Sequence, residues 1–322
     1  MNAELMNMLM KITQEEQDIL DGHYGIDKGI YTQTKEFTID SKKMMENGKL
    51  IDIRPHTRFI GFPQHKHNYI EIIYMCSGKT VHIINGTNEV VLDSGNLLFL
   101  NQFSSHEIMP TGFDDIAVNF IVLPEFFDIA LSMIDSESVI GSFLISTLCQ
   151  DSNKGSYLHF KVADVVPVQN LVENLVWSIA HSQNNRHRIN QTTMGLLLLQ
   201  LMNYTEKLDN SNSNQYDNRL VMLSLKYIEE KYKNARLTHL SQTLNQSVFR
   251  LSRLIKASTG YTFKEILLQK RLNKTIQFLT ETHLTVSNII NLVGYDNTSY
   301  FYRVFKQKYG VSPKEYRQKN SL

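Results

Sequence analysis

Cysteine is almost missing from this chain: Cys76 and Cys149 are the only two among 322 residues. Two are too few for a disulfide framework, and their separation matches no C-x-x-C metal or redox spacing. They read as small core hydrophobes in a reducing compartment. A long apolar run is missing too. No stretch of about 18 or more apolar residues occurs, as a membrane-spanning helix needs, and Glu4, Glu15, Glu16 and Asp18 stand where a secretory segment requires a basic and then a continuous apolar stretch. The expectation is a globular cytoplasmic protein with no membrane partner. At this length, with 42% hydrophobic residues, it has enough material for two or three domains.

Net charge is also nearly absent, at +1, but the balance conceals a separation. Residues 218–322 hold 18 Lys and Arg against 6 Asp and Glu, a net +12, and residues 1–217 hold the other 15 against 26, a net −11. A basic segment joined to an acidic one points to a polyanion-binding module beside a module of another kind.

Between Thr57 and Val122 short β-rich runs alternate with turn residues: YIEIIYMC, Ser77-Gly78, TVHII, Asn85-Gly86, EVVLD, Ser94-Gly95 and NLLFL. Turns every 8 to 10 residues, with Asn-Gly between two of the runs, predict an all-β sandwich or barrel. After Pro124 the pattern changes. Residues 168–182 and 189–208 have helical spacing, with Val172, Leu175 and Ile179 on one apolar face and Met194, Leu197, Leu198 and Leu201 on the other. This helical pair covers the β domain or forms a dimer seam. The polar stretch from Asp209 to Asn218 is expected to be a linker.

Beyond it everything reads helical, and the segment repeats at a shift of about 50 residues. Arg253-Leu-Ile-Lys256 returns as Arg303-Val-Phe-Lys306, Gly260 as Gly310, and Thr262-Phe-Lys-Glu265 as Ser312-Pro-Lys-Glu315. In each copy a short apolar-faced helix (Leu237, Leu240, Leu244; Val286, Ile289, Ile290, Val293) precedes a polar turn. A second helix follows, with one buried side (Leu251, Leu254, Ile255; Phe301, Val304, Phe305) and one basic polar side. This is the plan of a helix-turn-helix, whose second helix enters a major groove about 12 Å wide. The helix between the copies, with Ile266, Leu267, Leu272, Ile276 and Leu279, would hold two reading helices for successive grooves about 34 Å apart.

On these residues the segment 217–320 resembles the DNA-binding domain of the AraC/XylS transcription regulators, including the terminal Gly310, Ser312, Pro313, Tyr316 and Arg317. Two departures are mild: Asn245 replaces a usual glycine in the first turn, where Asn tolerates positive φ, and Ile255 replaces a usual aromatic. The resemblance implies base-edge readers at Phe249, Ser252, Arg253, Thr298, Ser299, Tyr302 and Arg303. Arginine suits guanine O6 and N7, which supports Arg253 and Arg303 independently. Lys256, Lys306 and Lys308 read as phosphate contacts.

In the β-rich half the densest titratable cluster is His65, His67 and Glu71, with His106 further on. On one extended strand His65, His67, Tyr69 and Glu71 share parity and would face one side, where a later strand would bring His106. This resembles the cupin fold. Its first motif, G-x5-H-x-H-x3or4-E-x6-G, is matched except that three residues separate Gly61 from His65. In its second, Gly95 and His106 fit, but Asn101, Phe103 and Pro110 stand where Pro, Gly and Asn are usual. Three histidines and a glutamate suit Fe, Mn, Ni or Zn. Sensor domains of the AraC type are similar cupin-like barrels that bind a small effector without a metal. The preferred assignment is therefore an effector pocket of Arg58, His65, His67, Tyr69, Glu71 and His106, with no metal, cofactor or catalytic residue. His56 and His82 read as exposed or satisfied strand histidines.

The expected protein is an α+β multidomain regulator: residues 1–165 a cupin-like β-barrel sensor with an N-terminal arm, 166–208 a helical dimerisation pair, 209–217 a linker, and 218–322 an all-α double helix-turn-helix. Its expected partners are double-stranded promoter DNA, a small effector with carbohydrate as the modest guess, a second copy of itself and RNA polymerase. The alternatives are a cupin metalloenzyme fused to a DNA-binding module, and an architectural DNA binder with a vestigial sensor.

Overall fold

The computed structural model describes the chain except residues 24, 35, 47, 128–132, 134–154, 182–183, 210–212 and 321–322; at 213–215 and 320 it describes backbone alone. Cys149 therefore lies outside the described residues. They divide into two units, the first running to Arg219 and the second starting at Leu220.

Among the described residues the first unit is built on ten strands: β1 (Thr38–Ile39), β2 (Ile51–Pro55), β3 (Phe62–His67), β4 (Ile70–Ser77), β5 (Lys79–Ile84), β6 (Asn88–Asp93), β7 (Leu97–Leu100), β8 (His106–Ile108), β9 (Ile116–Val122) and β10 (Tyr157–Phe160). They form two five-stranded sheets, ordered β1-β3-β8-β5-β6 and β10-β7-β4-β9-β2. All pairs are antiparallel except β1 with β3. The expected cupin-like barrel takes the form of two facing sheets. One apolar cluster draws Ile73, Leu98 and Ala117 from one sheet and Ile84, Val90 and Leu92 from the other, so the core lies between them. The Asn85-Gly86 turn closes the β5–β6 hairpin as expected, with Asn85 at φ 52° and Gly86 at φ 74°. Strands β1, β2 and β10 lie outside the span in which strands were expected. Cys76 is only half-buried rather than a core residue, and burial still pushes its thiol up to about 12.

Four short helices precede or interrupt the first strands: α1 (Ala3–Leu9), α2 (Gln14–Leu20), α3 (Lys28–Tyr31) and α4 (Ser41–Met44). Thr13 and Glu16 form a reciprocal capping box at the start of α2. Leu5, Leu9 and Ile19 are buried, so the N-terminal arm is folded onto its unit. The helical pair is α5 (Val166–Ala180) and α6 (Arg186–Asn203), burying Val172, Leu175, Met194, Leu197, Leu198 and Leu201.

The expected linker is shorter than its composition suggested, because the next helix, α7 (Ser213–Lys231), already includes Tyr216 to Asn218. Asn, Ser and Asp are common at helix N-termini, where their side chains serve unpaired backbone N–H groups, so a polar run can open a helix as well as separate two. Asp209 is also buried, paired with His159 at 3.3 Å and Lys161 at 2.8 Å.

The second unit continues from α7 with α8 (Leu237–Thr243), α9 (Val248–Thr259), α10 (Phe263–Glu281), α11 (Val286–Leu292), α12 (Thr298–Tyr309) and α13 (Pro313–Asn320). The repeat is structural. Helices α9 and α12 each have 12 residues, are capped by Ser247 and Asn297, and end on Gly260 and Gly310 at φ 77° and 76°. Glycine suits such left-handed C-caps because it has no Cβ to clash. Thr262 with Glu265, and Ser312 with Glu315, then start the following helices by the same pair of hydrogen bonds. Ile289, Ile290, Val293, Phe301 and Phe305 pack on Leu272 and Leu279 of α10.

Candidate functional site

Two surfaces carry the chemistry. On α9 and α12 the apolar positions Leu251, Ile255, Phe301 and Phe305 are buried, which leaves the opposite side in solvent. Phe249, Arg253, Lys256, Thr298, Ser299, Tyr302, Arg303 and Lys306 are all exposed, and Ser252 is half-buried. Phe249 is 70% exposed, which no packing demand of its own unit explains. Arg253 lies over its ring at 5.5 Å, and Arg303 lies over Tyr300 at 5.4 Å. In both copies the basic side is held by an aromatic neighbour and aimed away from the core.

The turns explain the shift between copies. Asn245 takes φ 50° and Gly294 φ 88° at matching points, but the second turn has one more residue. That residue is accommodated by Tyr295, buried against Phe301 at 5.2 Å and under the Arg271 guanidinium at 5.1 Å. Arg271 also donates to the backbone carbonyls of Tyr232 and Lys233. The terminal signature is an anchor as well: Tyr316 meets the Phe305 ring edge-on at 5.8 Å, and Arg317 donates to the carbonyl of Leu279 at 3.1 Å.

The second surface is a cavity in the first unit that opens to solvent. Its lining combines Ile39, Phe62, Ile108 and Ile121 with Arg54, His56, His65, Tyr69, Glu71 and Asn119. The shared-parity expectation fails here. His65 and His67 are on β3 but Glu71 is on β4 of the opposite sheet, because the chain changes sheets at Asn68-Tyr69. The groups still converge. His65 pairs with His106 across β3 and β8, and Glu71 Oε2 lies 3.6 Å from His67 Nε2 and 3.3 Å from His106 Nε2. Tyr69 places its ring 4.8 Å from that of His67.

Burial governs the protonation states. It pushes His65 and His106 down to about 3, His56 to about 4, and His67 well below its ordinary value, while it pushes Glu71 up to about 7. His82 is satisfied, as expected, between Thr80 at 2.8 Å and His106 at 3.3 Å, but it is fully buried rather than exposed.

Of the six residues expected in the pocket, His65, Tyr69 and Glu71 line the cavity; His67 and His106 meet Glu71 without lining it, and Arg58 is displaced altogether. It does not line the cavity; it is buried and paired to Glu16, with Nε 2.7 Å from Oε1, and its remaining donors reach the carbonyls of Met10 and Phe113. A long cation buried by the folded arm is held by the nearest carboxylate and so cannot also face a pocket.

Comparison with known proteins agrees with the double-helix geometry. The family described as "Helix-turn-helix domain" matches residues 240–319. Transcriptional activator PerA of Escherichia coli O127:H6 is 27% identical over 292 residues, covering 88% of this chain and 95% of that protein. The HTH-type transcriptional activator RhaS of Escherichia coli is 23% identical over 278 residues, covering 83% and 92%. The chain carries a helix-turn-helix domain over residues 240–319 and is similar along most of its length to transcriptional activators, in keeping with its resemblance to the AraC/XylS regulators. Among solved structures, the C-terminal domain of AraT, a response regulator from Geobacillus stearothermophilus, is 33% identical over 32% of this chain and 87% of that one, with a TM-score of 0.31.

The exposed faces of α9 and α12 were legible because a helix fixes which side chains share a face. The cavity was read less completely. Tyr31, Arg54, His56 and Asn119 line it although no local motif marks them, since they come from α3, β2, the residue after β2, and β9. Alternation along β9 was the available signal for Asn119, a polar residue in an otherwise apolar strand.

Proposed function

We propose that this regulator is a cytoplasmic, non-enzymatic activator that binds promoter DNA as a homodimer and whose occupancy responds to a small molecule taken up in the β-unit cavity. The observation that carries the reading is the 50-residue repeat, in which α9 and α12 present Arg253 and Arg303 at equivalent exposed positions. Base-edge reading falls to Phe249, Ser252, Arg253, Thr298, Ser299, Tyr302 and Arg303, and phosphate contacts to Lys256 and Lys306. Exposed Trp177, Ile189 and Leu196 on the helical pair support the dimer seam. Bound at a promoter, such a dimer meets RNA polymerase.

For the effector, the family resemblance suggests a carbohydrate. Arg54 adds a constraint, since it lines the cavity with Met44 and the Tyr31 ring for neighbours and forms no ion pair among the described residues. A carbohydrate bearing an acidic group meets both conditions. Selection of bound sites from random duplexes by the full chain, with and without acidic sugars, tests the reading. Two half-sites with ligand-dependent occupancy are expected; failure to retain any duplex at low salt refutes it. The converging histidines favour a second reading, a cupin metalloenzyme carrying a DNA-binding module, which requires turnover of a substrate.

A further inference from the structure

The polar stretch from Asp209 reads as a connector, yet its first residue is tied down. After α6 ends at Asn203, a single turn, Thr205–Lys207, returns the chain to the edge strand β10. Phe160 and Leu208 pair antiparallel there. The Lys207 carbonyl accepts from the Lys161 N–H at 2.8 Å, and the His159 carbonyl accepts from the Asp209 N–H at 2.8 Å. Leu208 is buried in the same step.

Side chains complete the staple. Asp209 Oδ1 lies 2.8 Å from Lys161 Nζ and Oδ2 lies 3.3 Å from His159 Nδ1, with the carboxylate only 4% exposed. Lys207 Nζ reaches Asp164 at 2.6 Å. Burying a carboxylate costs free energy even when it is paired, and His159 Nε2 is shut in beside it with no hydrogen-bond partner. A loose connector would leave Asp209 in water without that cost. A staple kept at the expense of stability points to a requirement for position.

The requirement follows from what comes next in the chain. Only residues 210–212 separate Asp209 from Ser213, where α7 opens and leads into the second unit. At about 3.5 Å per residue, the steps from Asp209 to Ser213 span at most about 14 Å, whereas the steps from Asn203 to Ser213 would span about 35 Å. The staple thus removes about 21 Å of reach from each protomer of a dimer. We propose that Asp209, held by His159 and Lys161, is a positioning residue that sets specificity for half-site spacing: it staples the chain to β10 and so restricts the separation at which a dimer engages two half-sites. A tether sets the effective concentration of the second binding event, and the gain disappears when the tether cannot span the sites. The spacing role rests on the homodimer reading given above.

The test uses the full chain with three duplexes: one half-site, two at the selected spacing, and two with ten base pairs inserted, one helical turn of about 34 Å. Wild type is expected to lose about 10- to 100-fold in affinity on the insertion, and Asp209→Asn no more than about 3-fold, with wild-type affinity for the single half-site. A residue that only stabilised the fold would weaken all three duplexes alike. Trypsin cleavage after Lys207, identified by product mass, reports release of the staple and is expected to be about 10- to 100-fold faster in the variant. Circular dichroism checks folding. The double substitution Leu208→Ser with Asp209→Asn keeps the test decisive if the single one leaves the staple closed. Asp164→Ala removes only the exposed pair with Lys207 and is expected to match wild type. A released staple with an unchanged loss on insertion overturns the proposal, as does unchanged cleavage in both Asp209 variants. Two half-sites bound no more tightly than one by every variant refute the homodimer reading, and the spacing role falls with it.

Discussion

Arg58 illustrates how one residue's surroundings decide its role. Burial by itself raises the Glu16 carboxyl, but hydrogen bonds from Arg58 and Thr13 and the guanidinium charge outweigh it and hold the group below its ordinary value of 4.5. Its pairing therefore contributes stability that is present above pH 4.5 and is lost as the pH falls through the lower folded value. Arg58→Ala leaves a buried carboxylate unpaired and is expected to cost about 3 to 5 kcal/mol in urea unfolding at pH 7, with a smaller difference from wild type in acid. On the proposed DNA surface the residues are expected to act in two ways. Arg253→Ala and Arg303→Ala are each expected to cost about 1 to 3 kcal/mol at the selected site and to relax base preference in different grooves. Lys306→Ala is expected to weaken all sequences alike. Equal loss with unchanged preference in all three variants shows that the arginines hold phosphates and that bases are read elsewhere.

Among the elements, the turn before α12 is the most constrained. Gly294 sits at φ 88°, and a Cβ there would run into the backbone carbonyl of Lys233 in the turn after α7. Gly294→Ala is expected to destabilise the second unit by on the order of 1 to 3 kcal/mol and to reduce DNA retention with it. Gly260→Ala provides the comparison, since nothing lies within 4 Å of its missing Cβ; only the left-handed conformation is penalised, at about 1 kcal/mol. Thermal melts of both variants separate the steric contribution from the conformational one. A loss no larger at Gly294 than at Gly260 removes the close approach to Lys233 from the account.

At the scale of the molecule, charge separation predicts division of labour. A fragment starting at Ser213 keeps α7 intact and is expected to bind duplex DNA with a steep salt dependence, because a net +12 on residues 218–322 supports several phosphate contacts and counterion release. Residues 1–209 are expected to show no retention. Measuring affinity between about 50 and 200 mM salt checks this, and a flat response excludes phosphate-dominated binding.

Much of this organisation is written locally. Periodicity, the Asn85-Gly86 turn and the repeat of Arg253-Leu-Ile-Lys256 as Arg303-Val-Phe-Lys306 determine the strand runs, the two reading helices and their exposed faces, since each follows from residues within one or two turns of chain. Local pattern does not fix where α7 opens, because Ser213 lies inside the polar stretch, whose composition permits a helix start and a linker equally. Tertiary structure alone decided the rest. It moved His67 and Glu71 onto opposite sheets and still brought them together. It turned Arg58 toward Glu16 and gathered Tyr31, Arg54, His56 and Asn119 around one cavity. Those outcomes depend on contacts between residues as much as 55 positions apart, such as Arg58 with the Phe113 carbonyl, and only the packing of the unit fixes which distant side chains meet.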